Sequence, residues 1–376
     1  MKYRSFPRQP GLEVSALGFG GLRLPAQAGD PASIDEAAAT SLLREAIEAG
    51  VTYVDTAWSA QQGRGEPFIG RALQGGWRER VRLAAKLPAG QVARAGDLER
   101  LLGERLERLA TDHLDVCLLQ GLTLERWSEL QRSGGLEALD RARADGRIGA
   151  LGVAHDGTPA ELEGLLAAHG WDLCQLSLDL LDPRGEGREA LRCAAGRGVG
   201  VVVAEPLRGG ALSRPPPVVR EAWAGSERPW SPAEWALRWA WDAAGVVTVL
   251  CGTGSAEHLR ATLRAAAEAE PLPARDLERL EAVRLTYRTR RRVPCTSCGG
   301  CTVCARQIPV ADLFSLYNDA MFDSREAAAE AYRQTFLAEG HGADQCIACQ
   351  VCQPLCAGGI PIPERLREAH DYLAAR

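Results

Sequence analysis

Lysine is nearly missing from this chain of 376 residues. Of 44 basic residues only Lys2 and Lys86 are lysine, and the remaining 42 are arginine. With the heavy use of Ala and Gly, this looks like a coding bias toward arginine, so an interior lysine at position 86 needs a reason. No stretch approaches the ~20 apolar residues of a membrane span, which excludes an integral membrane protein. The opening MKYRSFPRQPGLEV has no apolar core of the kind a secretory signal carries, and a cytoplasmic location is expected. A net charge of −5 gives no reason to expect nucleic acid or an anionic membrane as partner. The first strand candidate is not followed by G-x-G-x-x-G, which speaks against a dinucleotide-binding open sheet.

What the chain does have is a recurring unit. Short β-rich apolar runs lie at Ala16–Phe19, Val51–Ala57, Val81–Leu87, Leu114–Gln120, Ile148–Ala154, Leu173–Asp179, Gly198–Pro206 and Val246–Gly252. Most show little alternation, as strands covered on both faces should. The intervening segments are amphipathic. IDEAAATSLLREAIEAG puts Leu42, Leu43, Ala46 and Ile47 on one stripe and ends at Gly50. Eight strand-then-helix units predict an α/β fold, a (β/α)8 TIM barrel over residues 1–287. YRSFPRQPGLEVS, ahead of the first strand, predicts a β-hairpin that can plug the N-terminal mouth. RTRRR, from Arg288, leads into a second, small and mostly helical domain over 288–376.

That domain holds eight of the twelve cysteines. They form two runs, Cys295-x2-Cys298-x2-Cys301-x2-Cys304 and Cys346-x2-Cys349-x2-Cys352-x3-Cys356. Clustered cysteine in a chain with no export signal points to metal before disulfide. Three thiolates at three-residue spacing wrap one cubane, and a remote fourth closes it. The expectation is two [4Fe–4S] clusters, one on Cys295, Cys298, Cys301 and Cys356, the other on Cys346, Cys349, Cys352 and Cys304. Two structural zinc sites are the bland alternative, but zinc usually takes separated C-x2-C pairs. Ala305 and Ala357 stand where bacterial ferredoxin runs usually carry proline.

In a barrel of this kind the chemistry sits at the C-terminal ends of the strands. Those ends hold Asp55, Lys86, Gln120, Ala154-His155, Gln175, Asp179, Glu205 and Gly252. With LGFGGLRLP, YVDTAW, VRLAAKLP, DHLDVCLLQGL, VAEPLRGG, VLCGTGS and the two cysteine phrases, the chain resembles the aldo-keto reductases, in particular the bacterial subgroup with a C-terminal iron–sulfur module. The resemblance implies a catalytic Asp, Tyr, Lys, His tetrad in which the Tyr hydroxyl is the general acid. Asp55 and Lys86 match it. The Tyr position is Ala60 and the His position is Gln120, so half the tetrad is missing. Tyr53, one layer deeper on the strand of Asp55, reads as a filled core position, with a substitute acid as the lesser alternative. A positioned general acid contributes ~10²–10⁴-fold, so ordinary carbonyl reduction is expected to be slow or absent.

The resemblance also implies NADP(H): Gln175 for the nicotinamide amide, Glu205, Leu207 and Gly209 in a pyrophosphate-covering loop, and Gly252, Thr253 and Ser255 opening the last helix. A helix N-terminus suits a phosphate. Against it, Ala154-His155 replaces the usual Ser-Asn. Three readings stand. One is an iron–sulfur oxidoreductase whose barrel binds NADP(H) or a small-molecule substrate, with a redox protein as its electron partner. The second is a catalytically degenerate accessory protein. The third is a lyase or isomerase using Lys86 as base, its clusters structural.

Overall fold

The computed structural model describes all residues except 28–29, 183–184, 214, 216–221, 224–225, 296–299, 321–324, 357 and 376, and omits the side chains of 30–32 and 95. The described chain divides into two compact units. One comprises Met1–Pro206 with Glu234–Leu272, and the other Leu207–Ala233 with Pro273–Arg376. No helix among the described residues is long and apolar enough to cross a membrane.

The first unit is the barrel. Its chain opens with a hairpin, β1 (Tyr3–Phe6) against β2 (Gln9–Ser15), and a second small hairpin pairs β4 (Ala26–Gln27) with β5 (Asp30–Ile34). The eight barrel strands are β3 (Leu17–Gly20), β6 (Tyr53–Asp55), β7 (Arg82–Pro88), β8 (Leu114–Gln120), β9 (Ile148–His155), β10 (Leu173–Ser177), β11 (Gly200–Ala204) and β12 (Val246–Cys251). They close in that order, all parallel, with β12 hydrogen-bonded back to β3. Each of the eight expected runs overlaps one of them, three of the strands (β3, β7 and β9) running one residue past the expected end.

Side chains two apart on a strand share a face, and this parity builds the interior. Tyr53, Ala84, Val116, Leu118, Ala150, Leu173, Val202 and Leu250 form one buried cluster. Phe6 and Val14 of the first hairpin belong to the same cluster, so the hairpin plugs the barrel floor as expected. A Cβ on Gly200, at the start of β11, would lie 2.7 Å from the Phe6 ring, which is why glycine stands there. Helix Glu36–Glu48 has Asp35 as its N-cap, accepting from the Ala38 N–H, and buries Leu42, Leu43, Ala46 and Ile47 against the sheet.

The second unit is helical. Helices Ala274–Arg290, Val310–Asp319, Arg325–Tyr332 and Ile362–Ala374 account for most of it. Its core gathers Val293, Leu313, Phe314, Tyr332, Ile360, Ile362 and Leu366 around the buried Cys352.

Candidate functional site at the strand ends

Asp55 is the last residue of β6 and Lys86 lies two residues inside the end of β7. Their parity turns both inward, one layer above Tyr53 and Ala84. Lys86 Nζ lies 2.6 Å from each oxygen of the Asp55 carboxylate and 2.9 Å from the Thr56 carbonyl. Both side chains are buried, Lys86 at 4% and Asp55 at 8% exposure. Gln175, inward on β10, completes the group. Oriented to suit its neighbours, its amide nitrogen donates to Asp55 Oδ1 at 3.2 Å and its oxygen accepts from Lys86 Nζ at 3.3 Å. Burial pushes the Asp55 carboxyl up from the usual carboxylate range, against Lys86 and Gln175, which pull it down.

The Lys86 ammonium is thus engaged by Asp55 and the Thr56 carbonyl, with the Gln175 oxygen as a longer, shared acceptor. Ala60 is buried in the turn after β6, its methyl against Gly65 at the start of the next helix, and brings no hydroxyl to the ammonium. Gln120 ends β8 at the rim and is partly exposed. His155 ends β9 beside it, buried, with Nε2 facing the Thr158 carbonyl at 3.0 Å. Tyr53 is fully buried, its hydroxyl has no hydrogen-bond partner, and burial and then Asp55 push that phenol well above its ordinary value. The structure therefore brings together Asp55, Lys86 and Gln175. That Gln175 would brace the ion pair was missed in the sequence. Its inward parity on β10 was the available signal.

Residues assigned to the cofactor are divided between the units. Glu205 follows β11 at φ +52° and has Arg23 Nη2 at 3.9 Å from Oε2. Gly252 follows β12, where a Cβ would meet Arg23 Cβ at 3.0 Å and the Gly20 carbonyl at 3.3 Å. Thr253 Oγ1 accepts from the Ser255 N–H at 3.3 Å, and Ser255 caps helix Ala256–Ala267 by accepting from the His258 N–H. The first-turn amides of that helix are the groups that could meet a phosphate. Leu207 and Gly209 belong to the second unit, Gly209 at φ +67° in the turn Arg208–Ser213.

In the second unit, Cys295, Cys301, Cys304, Cys346 and Cys356 pack partly buried around the core that contains Cys352, and Cys349 is exposed. Burial pushes the Cys352 thiol up, and Cys304, Cys346 and Cys349 are near enough to push it further. Asn318 pins the chain ahead of the first run, donating to the Val293 carbonyl at 2.8 Å and accepting from its N–H at 2.9 Å. Cys298 lies outside the described residues. Among the described residues no group of three or more His, Cys, Asp or Glu side chains is arranged to hold a metal ion.

The aldo/keto reductase family model matches residues 16–285. The aldo-keto reductase AKR11C1 of Bacillus halodurans, in its holo form, superposes with a TM-score of 0.64 at 26% identity, covering 75% of this chain and 96% of that one. An aldo-keto reductase of Klebsiella pneumoniae in complex with NADPH shares the fold, with a TM-score of 0.60 at 23% identity over 75% of this chain and 95% of that one. An uncharacterized oxidoreductase of Bacillus subtilis, YqkF, is 29% identical over 154 residues, 38% of this chain, and the match spans only 45% of that protein's length. With a closed eight-stranded parallel barrel and a family match over most of its length, the chain belongs to the aldo/keto reductase family.

Proposed function

We propose that the chain is an oxidoreductase of aldo-keto reductase type, binding NADP(H) at the C-terminal ends of the barrel strands and holding two [4Fe–4S] clusters on its eight clustered cysteines. The observation that carries the barrel part is the buried Asp55–Lys86–Gln175 group where the family places its chemistry. Gln175 and the capped turn Gly252–Ser255 are the residues that would face the nicotinamide and a phosphate. The Klebsiella relative solved with NADPH supports the same cofactor. Tyr-dependent carbonyl reduction is not part of this reading, because Ala60 supplies no acid and the Lys86 ammonium is engaged by Asp55 and Thr56.

The iron–sulfur part rests on the two cysteine runs and on the packing of Cys304 and Cys346 against the same apolar core as Cys352. A last thiol of one run near those of the other is in keeping with the exchange expected of two-cluster ferredoxins. The donor set is all thiol, which suits iron–sulfur chemistry. When bound, such clusters supply one-electron transfer; the chain's part is to hold them at an apolar core and limit water.

Anaerobic titration of iron-reconstituted protein with NADPH, following nicotinamide fluorescence and visible cluster absorbance together, tests both parts. Saturable binding with bleaching is expected. Absence of binding would overturn the nicotinamide assignment. A second reading, an accessory protein with a degenerate barrel, is favoured by the saturation of Lys86 and would be supported by that negative result.

A further inference from the structure

Lys86 is a buried lysine in a chain that otherwise uses arginine, and Ala60 brings no hydroxyl to it. Tyr53, the phenol one layer deeper, has no hydrogen-bond partner. The Asp55–Lys86 pair therefore has no phenol to tune, and its geometry shows what it does act on. A primary amide is nearly symmetric in shape, and its two ends differ only in that nitrogen donates and oxygen accepts. Which way the Gln175 amide faces is decided by charge. Its nitrogen donates to Asp55 Oδ1 at 3.2 Å and its oxygen accepts from Lys86 Nζ at 3.3 Å. Turned over, its oxygen would face the carboxylate and its nitrogen the ammonium, and both contacts would be repulsive. Asp55, Lys86 and Gln175 are at most 8% exposed, so little water is present to screen that penalty.

These two contacts use half of what the amide can offer. A second N–H and a second lone pair remain. Among the described residues no side chain takes them. The register neighbours of Gln175 on β9 and β11 are Ala154 and Val202, both apolar. His155, next along β9, faces the Thr158 carbonyl with Nε2. A ligand at this position meets a donor on the Asp55 side of the amide and an acceptor on the Lys86 side. A carboxamide, with one acceptor end and one donor end, matches that pattern.

We propose that Asp55 and Lys86 are positioning residues for Gln175: the ion pair fixes the polarity of its amide, and Gln175 reads the primary carboxamide of a nicotinamide ring. This rests on the nicotinamide reading above. It also gives the lysine its reason. One ammonium meets both Asp55 oxygens, the Thr56 carbonyl and the Gln175 oxygen from a single point, whereas a guanidinium sets its N–H groups in a rigid planar fork.

The test is calorimetric titration of the full chain with NADPH and, separately, with its reduced acetylpyridine analogue, in which a methyl ketone replaces the carboxamide and no N–H is left. The parent should prefer NADPH by about ten-fold or more, because the analogue leaves a buried acceptor unpaired. Q175L should lose that preference. So should D55L/K86M, which keeps Gln175 but frees its amide to turn and offer an N–H to the ketone; the ratio is expected to fall to about three-fold or less. Urea unfolding shows whether each variant is folded, and D55N/K86M, a neutral pair closer in shape, is read in place of D55L/K86M if that variant is not. A preference lost in Q175L but kept in the folded double variant would overturn the role of the ion pair. Equal binding of the two coenzymes by the parent would overturn the carboxamide assignment. Binding of neither by the folded parent defeats the nicotinamide reading itself.

Discussion

Replacing Lys86 with methionine removes the one cation beside a buried carboxylate. In the parent, Asp55 has both oxygens 2.6 Å from the ammonium and a third contact from Gln175. In K86M only Gln175 remains, and at 8% exposure water cannot replace the lost charge. Breaking one side of such a pair typically costs ~3–5 kcal/mol, whereas replacing both partners with apolar groups is often neutral or stabilising. K86M should therefore lose about 3–5 kcal/mol at neutral pH, and D55L/K86M should recover most of it. The pH dependence has a definite sign. Burial already raises the folded-state pKa of Asp55 above its unfolded value, and loss of Lys86 raises it further. A group raised in this way favours the fold when protonated and loses that contribution as pH climbs through the folded pKa. The K86M deficit should shrink in acid and be largest at and above neutrality. Urea unfolding followed by tryptophan fluorescence reads it, since the buried Trp127, Trp171 and Trp235 all lie in the barrel unit. A K86M deficit below ~1 kcal/mol that does not change with pH would refute the argument that this pair is buried and mutually dependent.

Tyr53→Phe removes a buried hydroxyl that has no partner; stability should stay level or rise by up to ~1 kcal/mol, with turnover unchanged. Loss of turnover would instead make Tyr53 the proton donor. A60Y/Q120H puts an acid and an orienting group where the resemblance to the family implies them and should raise aldehyde-dependent NADPH oxidation by ~10²–10⁴-fold over the parent, read as absorbance loss with a panel of aldehydes. C352S, at the buried thiol of the second run, should cut reconstituted iron and sulfide by about half while leaving nicotinamide binding unchanged. Unchanged iron content would count against the ligand set.

The barrel strands were legible because burial on both faces leaves a local mark: apolar runs such as Leu114–Gln120, interrupted by amphipathic helices, which coincide with the observed elements to within a few residues. The plug was legible as well, since YRSFPRQPGLEVS has hairpin chemistry before the first strand, and Phe6 and Val14 do enter the core. The site was legible only as a set of strand ends. That Gln175 touches both Asp55 and Lys86 depends on β10 lying across the barrel from β6 and β7, which no spacing along the chain encodes. The loop holding Leu207 and Gly209 was assigned to the barrel domain by its neighbours in sequence, but its contacts place it in the second unit.

The amino-acid sequence by itself determined the eight-stranded parallel architecture, the helical character of the C-terminal unit and the spacing of the cysteines. These follow from residue types and short-range periodicity. Tertiary structure alone decided that the Lys86 ammonium is engaged by Asp55 and Thr56, that the Tyr53 hydroxyl is sealed without a partner, and that apolar side chains of the cysteine runs are exposed. Burial and charge pairing are properties of neighbours in space, and closure of the barrel and packing of the second unit's core choose those neighbours.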